Sequence, residues 1–212
     1  MGNQVKHLLI ILSIFLLFSF TFISCSSTNN TTSTDNTTTS PWTKQLGTSS
    51  GDYGNDVTTD SSDNIYVTGY TGGGLDGNTT SGNHDIVLVK YNSTGTKQWT
   101  KQLGTSSGDY GNDVTTDSSD NIYVNGYTWG GLDGNTTSGN HDIVLVKYNS
   151  IGTKQWTKQL GTSVGDQGLG VTTDSSGNIY VTGLTDGRLD GNTISGGSDI
   201  FLVKYNLTGT KQ

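Results

Sequence analysis

Acidic residues recur at a fixed interval through this 212-residue chain, and oxygen donors at that spacing are the first candidates for chemistry. Asp76, Asn78 and Asp85 stand close together. The same trio returns as Asp133, Asn135 and Asp142, and again as Asp190, Asn192 and Asp199. Hard oxygen donors at alternating positions suit Ca²⁺. The string DGNTTSGNHD, however, lacks the Glu that closes an EF-hand loop, and Asp and Asn also cap turns through their own backbone. Both readings stand at this point, a calcium site or turn chemistry. Asp52, Asp109 and Asp166 are expected at the same end of the molecule. With Trp129, which replaces a Gly of the first copy, they form a candidate binding face. An exposed Trp can anchor a ligand.

Other chemistry finds little material. The chain has no Glu, one Cys and one Arg, and the third copy carries Ser198 where His84 and His141 stand in the others. No GxSxG, P-loop or HExxH motif is present. No catalytic residue or cofactor is therefore assigned, and the expected class is a non-catalytic protein for binding, adhesion or scaffolding. The second reading is an Asp-dependent polysaccharide hydrolase or lyase built on the same scaffold, and a third is a fragment of a longer repeat protein, since near-identical repeats invite deletion. A formal charge of -7 and a pI near 4.6 exclude a nucleic-acid partner, which requires a basic footprint. Any protein or glycan ligand stays unnamed. The two His are read as solvated loop residues, Asp60, Asp117 and Asp174 as hairpin-turn residues, and Lys90, Lys147 and Lys204 as strand-edge positions whose stems lie on apolar surface.

These residues are carried on one unit written three times, at 42–98, 99–155 and 156–212. Copies one and two differ only at Thr68/Asn125, Gly72/Trp129 and Thr94/Ile151. Each copy contains four β-type segments bounded by Gly, Asn, Asp and Ser: Gln98–Leu103, GNDVTTD around Val57, Asn64–Thr71 and Asp85–Asn92. Helix is disfavoured, since Ala is absent along with Glu. In DIVLVKYN, Ile86 and Leu88 point to one face while Val87, Val89 and Tyr91 point to the other, so this strand belongs to a sheet covered on both sides. Tyr66, Tyr123, Tyr180, Trp99 and Trp156 recur with the period and are expected in the core. An all-β fold of three four-stranded, propeller-type blades of 57 residues follows. A β-solenoid is the alternative, though its repeats are normally shorter, about 20–30 residues.

The strings GNDVTTDSSDNIYVTGYT, DIVLVKYNSTGTKQW and TKQLGT resemble the bacterial β-propeller repeat called SBBP, over residues 42–212. The resemblance implies four-stranded blades in secreted or lipid-anchored proteins and carries over no catalytic residue.

Residues 1–24 read as a lipoprotein signal peptide. Lys6 precedes an apolar run from Leu8 to Phe22, too short for a typical span, and Phe22-Ile23-Ser24-Cys25 resembles a lipobox. Cys25 is then the lipidated first residue, followed through residue 41 by a Ser/Thr/Asn-rich tether. The expected location is the bacterial envelope, at the outer membrane or cell surface, with the membrane as a partner through the lipid.

The copy boundaries also suggest assembly. Residues 42–47 read as an outer strand with no preceding strands of their own, while copy three supplies strands from Val171 to Asn206 and then only TGTKQ. The expectation is a homo-oligomeric ring, most simply two chains giving six blades.

Overall fold

The computed structural model describes residues 41–212; the signal-peptide reading, Cys25 and nearly all of the tether lie outside the described residues. Eleven strands follow one another: β1 (Asp52–Thr59), β2 (Ile65–Thr71), β3 (Asp85–Tyr91), β4 (Lys97–Leu103), β5 (Asp109–Thr116), β6 (Ile122–Thr128), β7 (Asp142–Tyr148), β8 (Lys154–Leu160), β9 (Asp166–Thr173), β10 (Ile179–Thr185) and β11 (Asp199–Tyr205). They form three antiparallel meanders, β1-β2-β3-β4, β5-β6-β7-β8 and β9-β10-β11. Blade and sequence copy are therefore out of phase. The Trp-containing segment that opens a copy is the outer strand of the blade before it.

The third blade departs from the four-strand expectation. Beside β11 only an isolated bridge, Tyr205 to Lys211, begins a fourth strand. Residues 42–47, expected as an outer strand, have no strand partner and are irregular. A strand requires a neighbouring edge, and β11, whose equivalents β3 and β7 pair with this sequence in the first two blades, lies at the other end of the stack.

Turn chemistry fixes the registers. Asp60 accepts hydrogen bonds from the Ser62 and Asn64 amides, both at 2.9 Å, and from the Asn64 side chain. This closes the β1–β2 hairpin. The turn demands a positive φ at Asp63 and Asp120 (59° and 58°), and copy three meets the same demand with Gly177, for which that region carries no steric cost. The recurring Asp also accepts from a tyrosine hydroxyl, Tyr66 to Asp60 and Tyr123 to Asp117, each at 2.8 Å.

The blades stack face to face. Tyr66, Ile86 and Leu88 of the first meet Val114, Val124, Val144 and Val146 of the second. Tyr123, Ile143 and Leu145 of the second meet Val171, Val181, Phe201 and Val203 of the third. Each such aliphatic side chain removed from water contributes roughly 1.5–3 kcal/mol. A blade thus needs a neighbour on each side, as the two-faced strands require. Trp99 and Trp156 pack against the edges of these cores. Lys90 and Lys147 lie over the Tyr66 and Tyr123 rings and donate to carbonyls of the next blade, Lys90 to Ser150 at 3.1 Å.

Candidate functional site

The long connections do converge at one end of each blade junction. The β2–β3 loop runs beside the β4–β5 loop through a parallel bridge between His84 and Gly108, and the Asp109 amide donates to the His84 carbonyl at 2.8 Å. His141 and Gly165 repeat the arrangement one blade on.

Within this end the acidic residues are spent on tying loops. Asp52 accepts from the Thr48 amide at 2.6 Å. Asp109 and Asp166 are fully buried, not displayed on a face; each accepts from the Thr four residues earlier and from a β-strand threonine, Thr128 or Thr185. Burial pushes the Asp109 carboxyl up despite these donors. Asp76, Asp133 and Asp190 sit in the left-handed region of single 3₁₀ turns and pair with Lys97, Lys154 and Lys211 on or near the outer strand. For Asp76, burial raises the pKa, but the Lys97 and Thr100 hydrogen bonds outweigh it and hold the carboxyl below the ordinary range. Asn78, Asn135 and Asn192 cap the same turns by donating to Leu75, Leu132 and Leu189 carbonyls at 2.7–2.8 Å. Asp85 and Asp142 are buried and accept from Ser81 and Ser138 amides and from Gln102 and Gln159, while Asp199 accepts from Ser195. Among the described residues no three acidic, His or Cys side chains converge as a metal site. The arrangement is that of turn and loop closure.

What the loops leave exposed is aromatic. Tyr53 stacks on Tyr70 (centroids 4.7 Å apart), Tyr70 meets Tyr110 edge-on at 4.8 Å, and Tyr110 stacks on Tyr127 at 4.7 Å. His84 packs on both Tyr70 and Tyr110 at 5.3 Å, and the Tyr110 hydroxyl lies 3.2 Å from His84 Nδ1. Trp129, 51% exposed, stacks on His141 at 5.3 Å. The two His are thus half-buried members of a ladder and not the solvated loop residues the sequence suggested. The ladder stops in the third blade, where Gln167, Leu184 and Ser198 replace Tyr, Tyr and His.

A cleft of about 570 Å³ opens at the junction of the first two blades, lined by Asn83, His84, Ser106, Ser107, Tyr110 and Trp129. Burial, then the neighbouring Tyr70 and Asp109, raise the Tyr110 pKa, so its hydroxyl is neutral at physiological pH and can donate. The site offers flat apolar faces rimmed by hydroxyl and amide groups, and no activated nucleophile.

Stacked antiparallel blades of this topology, repeating every 57 residues, define a β-propeller-type repeat protein. The family described as SBBP, beta-propeller repeat, matches residues 42–76, 98–133 and 155–190, about half of the chain, and the chain belongs to it. Two curated relatives are more distant. An uncharacterized WD repeat-containing protein, L264, of Acanthamoeba polyphaga mimivirus is 27% identical over 79% of this chain. The regulatory protein FlaEY of Caulobacter vibrioides is 26% identical over 65% of it. The chain spans 16% of the length of each.

Proposed function

We propose that this chain is a non-catalytic binding module, lipid-anchored at the bacterial envelope through Cys25, whose long-loop end takes a glycan. The observation that carries the reading is the cleft walled by Tyr110, His84 and Trp129 and rimmed by Asn83, Ser106 and Ser107. Sugar rings have apolar faces that suit aromatic platforms and hydroxyl edges that suit amide and hydroxyl partners. The recurring carboxylates are already engaged by backbone amides, threonines and lysines, which favours binding over hydrolysis.

Trp129→Gly tests it, because Gly72 occupies the equivalent position in the first blade and the substitution keeps the fold. Across a panel of bacterial polysaccharides, the full chain binds at least one, and the variant binds it about tenfold more weakly, about 1.4 kcal/mol. Equal affinity of the two proteins, or binding to a protein and no glycan, contradicts the proposal. For the anchor, intact-mass spectrometry of the membrane fraction is expected to find a chain starting at lipidated Cys25; an unmodified Cys25 contradicts that part alone.

A further inference from the structure

The segment 42–48 is held in the place of a fourth strand that has no sheet. Trp42 lies against Gly95 so closely that a Cβ there would sit 2.7 Å from its ring, as Trp99 lies against Gly152 and Trp156 against Gly209, at 3.0 and 3.1 Å. Lys44 rests over Trp42 at 5.7 Å, as Lys101 rests over Trp99 and Lys158 over Trp156. Leu46 packs on the Leu75, Val87 and Val89 cluster of the first blade. The segment therefore sits on blade one as β4 sits on blade two and β8 on blade three. Among the described residues no strand pairs with it.

At the other end of the described stack, β11 has, among the described residues, only the Tyr205–Lys211 bridge where β3 and β7 have a full outer strand. Its outward face is bare as well: Ile200 is 88% and Leu202 72% exposed, while the equivalent Ile86, Leu88, Ile143 and Leu145 are buried against the next blade. The face they would cover is partly open too, at Val57, while Val87 and Val89 are buried with Leu46 packed against them. A cavity of about 410 Å³ on blade one is lined by Val57, Val67, Val87 and Val89, the counterparts of the residues that receive Ile86 and Leu88 on blade two. Val57 is 59% exposed, while its equivalent Val114 is buried.

We propose that two copies of this chain associate head to tail. Residues 42–48 of each complete the other's third blade, and the six blades close a ring. The register follows from the repeat. Ile86 pairs with Leu103 and Leu88 with Lys101, so Ile200 pairs with Leu46 and Leu202 with Lys44 of the second copy. The bridge Tyr205–Lys211 corresponds to Tyr91–Lys97, and the incoming Trp42 continues the strand where Gln212 leaves it. Polar contacts that join consecutive blades have partners here too. Thr116 donates to the Thr59 carbonyl and Lys90 to that of Ser150, and Thr59 with Thr173 and Lys204 with Ser93 stand in the same relation across the new junction. Ser61 bonds to Asp120 between blades one and two, and Ser175 with Asp63 can repeat it. Leu169 and Gly170 replace the bonding Asn112 and Asp113, so this junction is more apolar than the internal ones. Six blades fall within the usual four to eight, at about 60° each; one chain closing on itself would need about 120°, and three chains would give nine blades.

A cross-link tests the register. Lys44→Cys and Leu202→Cys are introduced in the full chain with Cys25→Ser, so the engineered thiols are the only ones, and both positions are exposed within one copy. Directly opposed strand residues are close enough for a disulfide. Under mild oxidation in detergent the double variant is expected to run as a discrete covalent dimer. Pairing Leu202→Cys with Thr43→Cys, whose side chain points to the opposite face, gives none, and adding Ile200→Asp to the double variant abolishes the dimer while leaving the melting of the monomer unchanged. A cross-linked monomer, an unbounded ladder of oligomers, or no cross-link overturns the proposal.

Discussion

At Asn125 the repeat is broken at a fully buried polar position. In copies one and three the equivalent Thr68 and Thr182 donate to Val87 and Phe201 carbonyls at 2.9 and 2.8 Å. Asn125 is fully buried, and neither its amide nitrogen nor its oxygen has a partner. An unsatisfied buried polar group costs about 1–3 kcal/mol. Asn125→Thr should therefore stabilise the protein by about 1–3 kcal/mol in urea unfolding; a neutral or destabilising result contradicts this accounting. The same scale explains what sequence reading missed. Asp85 and Asp109 look like displayed acids because composition reveals type and not burial. Their donors come from four residues away and from across the sheet, which only the fold brings together. The aromatic ladder had a signal, since the tyrosines at 53/110 and 70/127 and the His at 84/141 are all lost together in copy three.

Strand identities were legible in the alternation of DIVLVKYN and the turn strings, because period-two burial and hairpin chemistry are local. The pairing of 42–47 was not, since a strand exists only where an edge receives it. Between blades the inner strands are joined by side-chain rungs: Asn55 donates to the Gly111 carbonyl at 2.7 Å, Asp56 accepts from the Val114 amide at 2.9 Å, and Asp113 accepts from that of Val171 at 2.6 Å. Asp56 and Asp113 face one another. Burial, together with the Asp56 carboxylate, pushes Asp113 up to about 6. A folded-state pKa above the unfolded value means that this group's contribution is fully present below about pH 4 and is lost as pH rises through about 6. Asp113→Asn, which can still accept from Val171 and also donate to Asp56, should leave stability at pH 4 unchanged. At pH 7 it should add roughly 1–2 kcal/mol, after discounting for solvent screening. Denaturant unfolding at the two pH values checks this. A variant that loses stability at pH 7 sinks the shared-carboxylate account.

At the scale of the whole molecule, stability comes from repetition. Each blade buries one face on the blade before it and the other on the blade after it, so nearest-neighbour packing carries the fold. Among the described residues the middle blade has a neighbour on both sides, and the outer two have one each. The partly open face of blade one, the exposed face of blade three and the unpaired strand segment at 42–48 are complementary parts of one junction. The most direct measurement is the protein mass of the unsubstituted full chain in detergent, from light scattering with the detergent contribution removed. The mass of two chains, falling to one with Ile200→Asp, is the predicted result. A cooperatively melting particle with the mass of one chain at micromolar concentration would contradict the account.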